Sequence, residues 1–358
     1  MPLPRLACIM PFLNEAEHLP AVLETLRRQT IDPSRVVLFA VDNGSTDDGP
    51  RLVREWLARE PVAGRIIAAP RRSIPAALNA GLAAVDPGDI VVRLDAHTLY
   101  DPHYLETIDA ALRSLEDDVW CVGGAPTPAP ARGYLRRLGE ALYSNPMGLG
   151  PADFRRNPTV VRRVSTVYLG AWRPGVLQRL GGFDERWSAN EDCELTERIQ
   201  AAGGAVARIP VVCGRIPTRG PVGTIRQWSR YGFWRAQTFK RYPSAVRPRH
   251  IVAPLVLLAA LGLIATPARR ALLPLYALYA AATIALRRRG EPAAVTAGSL
   301  ALFPLVHAGY AAGLILGALR TPNAIRNGVA PVPKPERDRP HNAPNESRTL
   351  APAPDSLW

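Results

Sequence analysis

Three short strings carry side chains whose types and spacing suit chemistry on a phosphorylated substrate. In Val41-Asp42-Asn43-Gly44-Ser45-Thr46-Asp47-Asp48-Gly49 an apolar run ends on an acid, Gly44 permits a tight turn, and Thr46 or Asp47 can cap the following helix. Turn chemistry alone also accounts for that string. Asp95-Ala96-His97 closes a second apolar run, and alternate positions of an extended chain put its carboxylate and imidazole on one side. Together Asp95 and His97 can hold a divalent cation against a diphosphate and offset the charge of a leaving group. Carboxylate favours hard cations and imidazole tolerates softer ones, which points to manganese or magnesium. An Asp capping the next helix beside an exposed His is the alternative.

Glu191 and Asp192 follow Ser188 and Asn190, and Ser188 with Glu191 has capping-box spacing for a helix that begins there. The helix dipole favours acids in a first turn. The same position suits a general base, a carboxylate that takes the proton from an attacking hydroxyl. Spacing leaves both readings open. Gln227-Trp228-Ser229-Arg230-Tyr231, with Trp234 and Arg235 beyond it, is basic and aromatic. It is either an interfacial helix with aromatic anchors or a site where Arg230 meets a diphosphate and Trp228 or Tyr231 meets a ring or an acceptor.

The elements that must position these residues follow an α/β pattern as far as about residue 215, short β-rich apolar runs alternating with amphipathic stretches. Leu6 to Met10, Val36 to Val41, Arg65 to Ala68 and Ile90 to Leu94 are predicted as buried parallel strands. Glu17 to Arg28, Asp47 to Arg59, Ile74 to Val85 and Pro102 to Leu115 are predicted as the helices after them. Open α/β sheets bind ligands beyond the carboxyl ends of their strands, so Asn14 and Glu15, Asp42 to Ser45, and Asp95 to His97 should gather round one crevice. Gly123 to Pro158 reads as loops around a short helix, and helices return at Glu191 to Ala202 and Val222 to Arg241.

After Arg249 the composition turns apolar. Ile251 to Ala265, Ala271 to Leu286 and Ala293 to Leu319 hold no charged residue and are separated by Arg269 and Arg270, then by Arg287 to Arg289. A bilayer span takes roughly 20 residues, which only the third comfortably supplies. The first two span with arginines snorkelling at their ends or form a shallow hairpin, and buried soluble helices are the alternative. Gly309, Gly313 and Gly317 recur at a spacing that permits close helix packing. The expected division is a cytosolic catalytic domain over 1–245, a membrane region over 246–320 and a disordered Pro-rich tail over 321–358.

The basic residues behind a formal net charge of +13 are almost all arginine, many beside the C-terminal apolar stretches, which suits an anionic membrane face. They come with no zinc-finger spacing and no aromatic RNA-binding signature, so nucleic acid is not expected as a partner. Cys8, Cys121, Cys193 and Cys213 form no Cys-x-x-Cys pair and read as reduced, buried thiols. Pro11 breaks the N-terminal apolar run and Asn14, Glu15 and Glu17 follow it, unlike a signal peptide, so the first domain is expected to stay in the cytoplasm.

In this order the strings resemble the inverting family 2 glycosyltransferases, and more narrowly the bacterial succinoglycan-biosynthesis group with C-terminal membrane segments, over about residues 5 to 320. The resemblance implies a nucleotide-diphospho-sugar transferase (GT-A-like) fold, a mixed α/β sheet with flanking helices followed by membrane helices. It implies that Pro11, Asn14 and Glu15 border the base and ribose, that Asp42 hydrogen-bonds the base, and that Asp192 is the catalytic base. Asp95-Ala96-His97 stands where the wider family has Asp-x-Asp and the narrower group a similar Asp-Ala-His. Gly181-Gly182-Phe183-Asp184-Glu185 with Asn190-Glu191-Asp192 resembles the acceptor-side motif. Gln227-x-x-Arg230-Tyr231 is similar to the Gln-x-x-Arg-Trp motif of related synthases. Asn79 and Gly81 fall in the family's Arg-Asn-x-Gly-Leu helix, here without its arginine, and Arg71 or Arg72 would approach the diphosphate instead.

The implied activity is transfer of a hexose from a nucleotide-diphospho-sugar, a uridine diphosphate sugar first among them, to a polyprenyl-diphosphate-linked acceptor. Extracellular polysaccharide or glycolipid assembly at a bacterial inner membrane would be the setting. Two readings stay beside it. A non-catalytic membrane scaffold retaining the sugar-nucleotide fold would be favoured if Asp95 and Asp192 faced different pockets. A processive synthase would need more membrane helices than three short segments supply. A nucleotidyltransferase would need a glycine-rich phosphate loop, which Pro11 to Glu15 lacks.

Overall fold

The structure, a computed structural model, describes residues 3–130, 133–149, 160–264, 266–322 and Ile325. Of the stretches singled out in the sequence, residues 131–132 and 150–158, Ala265, and residues 323, 324 and 326–358 of the Pro-rich tail lie outside the described residues.

The four expected strands form as β1 (Leu6–Phe12), β2 (Val36–Asp42), β3 (Ala63–Ala68) and β4 (Ile90–Arg93), each followed by a helix: α1 (Leu19–Arg27), α2 (Gly49–Leu57), α3 (Ile74–Leu82) and α4 (Tyr104–Ser114). β1 and β4 read as unbroken apolar runs because both of their faces are covered. Leu6, Cys8 and Met10 face Leu19, Val22 and Leu23 of α1 and Tyr104 and Ile108 of α4. Ala7 and Ile9 point the other way, towards Ala77 and Leu78 of α3.

Four further strands complete the sheet: β5 (Val119–Pro128), β6 (Arg162–Arg163), β7 (Tyr168–Trp172) and β8 (Ala205–Ile216), in the order β3-β2-β1-β4-β7-β5-β8-β6. β7 runs antiparallel to both β4 and β5, and β6 antiparallel to β8, while the other pairs are parallel. The sheet is mixed, as expected. One correction concerns Gly123 to Pro128, which was expected as loop and instead ends the long strand β5. Those glycines mark crowding rather than a turn: a side chain on Gly123 would meet Val167, and one on Gly124 would meet the backbone of Val211. The short helix expected after it is α5 (Tyr134–Ser144), joined by α6 (Pro146–Leu149). On the face shared with α3 lie α7 (Val176–Arg179) and α8 (Glu191–Ala201), anchored by Leu177, Leu195 and Ile199. All four cysteines are free and buried.

The C-terminal part is helical: α9 (Pro221–Arg241), α10 (Pro248–Ile264), α11 (Leu272–Ala285) and α12 (Ala293–Leu319). The glycine spacing on α12 is used within the chain, against α9. A side chain on Gly313 would collide with the Ser229 carbonyl, and one on Gly317 with that of Phe233. Gln237 donates to the Gly317 and Arg320 carbonyls at 2.7 and 3.0 Å, and Lys240 donates to Arg320 at 3.0 Å, closing the C-terminal end of α12. The first half of α12 packs on α5, where Leu138 and Leu142 meet Val295, Leu302, Phe303 and Val306. Residue 245 lies between α9 and α10, and α12 packs on α9 and α5 from before it. Among the described residues α12 is the one helix long and apolar enough to cross a membrane by length and composition. The shorter α10 and α11 leave Leu255, Leu261, Leu273 and Leu278 more than half exposed.

Candidate active site

The ends of β1 and β2 are stitched together by their polar loops. Asn14 adopts a left-handed backbone (φ 54°), which asparagine tolerates better than most residues. From there its N–H donates to Ser45 Oγ at 3.1 Å and its Oδ1 accepts from the Thr46 N–H at 2.8 Å. The Ala16 N–H donates to Asp47 Oδ2 at 2.7 Å, and the Ser45 N–H donates to Asp42 Oδ1 at 2.8 Å. Turn chemistry therefore does involve Asp42 and Asp47, with one Asp42 oxygen committed to its own loop. Pro11 lies in β1, paired with Val41 beside Asp42.

At the end of β4, Ala96 is buried while Asp95 and His97 are partly exposed, the alternation expected of an extended segment. The Tyr100 hydroxyl accepts from the Asp95 N–H at 2.6 Å and lies 3.1 Å from the Asp95 carbonyl, which fixes the backbone. Tyr168 donates its hydroxyl to Asp95 Oδ2 at 3.1 Å. Burial lifts the Tyr168 pKa well above its usual value, with Asp95 adding to the shift, so it stays a neutral donor. His97 Nδ1 lies 3.1 Å from Glu15 Oε1, tying the β4 loop to the β1 loop. Burial opposes a charge on His97, but its hydrogen bond to the Glu15 carboxylate and the charges of Asp95 and Glu15 outweigh it and raise its pKa.

The start of α8 departs from the capping-box expectation. Asn190, not Ser188, is the N-cap, again left-handed (φ 59°), with no side-chain cap bond. Its Nδ2 donates instead to the Tyr231 carbonyl on α9 at 2.9 Å, a tertiary contact that outcompetes the local one. Glu191 is buried, with its Oε1 2.9 Å from Arg93 Nη1. Burial raises the Glu191 pKa, Arg93 opposes that, and Asp192 adds to it. Asp192 is partly exposed, and its charge is felt by Arg93, Tyr231 and Arg235.

Residues 7–162 match the family described as Glycosyl transferase family 2. That match covers less than half of the chain and makes this segment similar to a family 2 glycosyltransferase domain. The chain is 30% identical over 205 residues to the succinoglycan biosynthesis protein ExoA of Rhizobium meliloti (strain 1021), covering 54% of this chain and 58% of that one. It is 27% identical over 223 residues to the validoxylamine A glucosyltransferase of Streptomyces hygroscopicus subsp. limoneus, covering 56% and 49%. The chain thus spans about half the length of the curated relatives it matches. The mannosyltransferase PcManGT from Pyrobaculum calidifontis, solved in complex with GDP-Man and Mn2+, aligns over 88% of each chain with a TM-score of 0.58 at 24% identity. That likeness shows the GT-A fold.

The matched segment holds Asp42, Asp95 and His97 and stops short of Asp192 and Arg230. Arg93 joins the two parts: its Nε lies 3.5 Å from Asp95 Oδ1 while its Nη1 binds Glu191. Burial works against the charge on Arg93, and the carboxylates of Asp95, Glu191 and Asp192 overcome it and raise its pKa. The sequence reading missed Arg93 and Tyr168. The signal for Arg93 was present, a cation closing an apolar strand two positions before Asp95 and so on the same face.

On the far side of the crevice, Asn79 accepts from the Phe183 N–H at 2.8 Å and donates to Glu185 Oε1 at 2.9 Å. Arg71 pairs with Glu185, and Arg72 donates to the Gly44 carbonyl at 2.8 Å. The Arg230 guanidinium donates to the Ser188 carbonyl, and Gln227 donates to the Tyr231 hydroxyl at 2.8 Å. Trp228 packs edge-on to Tyr231 and against Tyr310 of α12, and Trp234 packs on Trp187. These aromatics anchor α9 into the protein. Among the described residues no three His, Cys, Asp or Glu side chains converge as a metal cage.

Proposed function

We propose that the chain is an inverting glycosyltransferase that moves a hexose from a nucleotide-diphospho-sugar to a lipid-linked acceptor at a membrane surface, in polysaccharide or glycolipid assembly. The observation that supports this reading is the Arg93 bridge, which links Asp95 at the end of β4 to Glu191 at the start of α8. The family domain and the relatives' names support it at the level of glycosyl transfer.

In this reading Pro11, Asn14, Glu15 and Asp42 receive the nucleoside, and Asp192 takes the proton of the acceptor hydroxyl as its oxygen attacks the anomeric carbon. The bond from that carbon to the diphosphate breaks as the new one forms, so the configuration inverts. Glu191, buried and paired, holds Arg93 rather than touching substrate. Arg230 adds positive charge beside the diphosphate. The Asp95 carboxylate and the His97 imidazole would hold a divalent cation that arrives with the donor. Manganese or magnesium held there would supply positive charge against the leaving diphosphate. The exposed leucines of α10 and α11, flanked by Arg269, Arg270 and Arg287 to Arg289, suit contact with an anionic bilayer, with the catalytic domain on its cytoplasmic side.

The test is transfer of labelled sugar from uridine and guanosine diphosphate donors into extractable lipid, using membranes that carry the chain, beside Asp192→Asn. Label that appears with one donor and vanishes in the variant is expected. Label that persists in Asp192→Asn would remove Asp192 as base, and no label from any donor would overturn the lipid-directed reading.

A further inference from the structure

Beside Arg230, α9 and α12 part to leave an open groove of about 520 Å³, lined by Val222, Ile225, Arg226, Ser229, Arg230 and Gly309. Its chemistry is two-sided. Val222, Ile225 and the bare backbone of Gly309 make an apolar wall, and that wall continues one turn along α12 to Leu305, which is 55% exposed. Arg226 and Arg230 stand one turn apart on the same face of α9. Arg226 is exposed and has no carboxylate partner among the described residues.

The groove has an inner and an outer end. At the inner end Arg230 donates to the Ser188 carbonyl, in the loop that leads through Asn190 to Asp192. The Asn190 side chain reaches back to Tyr231, so this end of the groove and the start of α8 are fastened together. Outward, the apolar wall leads towards the exposed leucines of the C-terminal helices. Guanidinium groups beside an apolar wall match a phosphate ester that carries a hydrocarbon chain, and a soluble sugar offers nothing to that wall. The volume lies within the usual span for a small-ligand site, roughly 300–1,000 Å³, enough for a head group and the first few carbons of a chain.

We propose that this groove seats the head end of an amphiphilic lipid phosphate. Its phosphate lies on Arg226, its first chain units run along Val222, Ile225 and the Gly309 face, and Arg230 sits at the boundary with the donor site. A hydroxyl on a sugar carried by that head is thereby directed past Ser188 towards Asp192. The proposal rests on the lipid-directed reading above and adds the place and the chemistry of recognition.

The test measures binding rather than turnover, with the full chain in a neutral detergent and farnesyl phosphate, farnesol and inorganic pyrophosphate as probes. Arg226→Gln is expected to weaken farnesyl phosphate about tenfold or more, the scale of one charge-assisted hydrogen bond, while leaving farnesol nearly unchanged. Gly309→Leu, whose side chain would start 3.1 Å from Ile225, is expected to weaken both lipids. Neither variant should change nucleotide binding, which also reports that the chain is folded. Unchanged farnesyl phosphate affinity in both variants, or pyrophosphate competing as well as the lipid, would overturn the groove assignment. Intact lipid binding with no transfer from any donor would sink the transferase reading and leave the groove standing.

Discussion

Arg93 Nη1 lies 2.9 Å from the Glu191 carboxylate, and the two residues are 98 positions apart in the chain. The same guanidinium faces Asp95, so a single buried cation sets the spacing between the strand end expected to meet the donor and the helix start expected to meet the acceptor. Replacing it with a neutral side chain strands the buried Glu191 carboxylate without its cation, which costs roughly 3–5 kcal/mol. Arg93→Met is therefore expected to lower Tm strongly. Arg93→Lys keeps the charge but loses the fork that reaches both acids. It is expected to stay folded, with kcat falling at least tenfold and the donor KM little changed. A lysine variant whose kcat falls only in proportion to its unfolded fraction would reduce Arg93 to a purely structural role.

Asp184 gives a pH signature. Burial disfavours its ionised form, but the hydrogen bonds and charge of Arg186, with the charge of Arg241, outweigh it and lower its pKa below the ordinary 3.8. The folded state then binds fewer protons than the unfolded state in the window below 3.8. The stabilisation from Asp184 is complete above that value and is lost as pH falls through the lowered folded value. Asp184→Asn is expected to melt well below the parent at pH 7 and to converge on it in acid. Melting curves at pH 7, 4 and 3 check this, and a gap that stays constant across them would contradict it.

The seam between α9 and α12 is equally specific. The carbonyl of Ser229 occupies the space that a Gly313 side chain would need. Gly313→Leu must push the helices apart, at a cost of roughly 1–3 kcal/mol or more. Limited proteolysis is expected to cut between α9 and α12 faster in this variant than in the parent. Ala312→Leu, on the exposed face of the same helix, is expected to leave the pattern alone. Equal cleavage in all three chains would mean that the helices do not depend on that contact.

The strands and their polar ends were legible because β1, β2 and β4 are covered on both sides and so read as apolar runs halted by turn residues. That pattern put Asn14, Asp42 and Asp95 at one end of the sheet. What escaped depends on distant partners. Gly123 and Gly124 look like loop glycines until β7 and β8 are laid beside them. Ser188 has the better local claim to cap α8, and Asn190 takes the position through its bond to Tyr231. Trp228 and Trp234 suit a lipid interface in sequence, since amphipathic spacing cannot distinguish lipid from protein, and Tyr310 and Trp187 decide the matter.

The proposed cation site would separate donor recognition from the proposed base. In the proposed site Asp95 and His97 would offer two donors, too few to retain a metal tightly alone, so the cation should bind together with the nucleoside diphosphate. Titrating the diphosphate of the productive donor into the chain with manganese, and again with chelator, is expected to show at least tenfold tighter binding with the metal. Asp95→Asn should abolish that difference, since an amide is a poor substitute for a carboxylate on a hard cation. Asp192→Asn should preserve the difference while losing transfer, because the role proposed for its carboxylate is on the acceptor. If Asp192→Asn erased the metal effect as fully as Asp95→Asn does, Asp192 would belong to the cation's environment and the base would have to be sought elsewhere in the crevice.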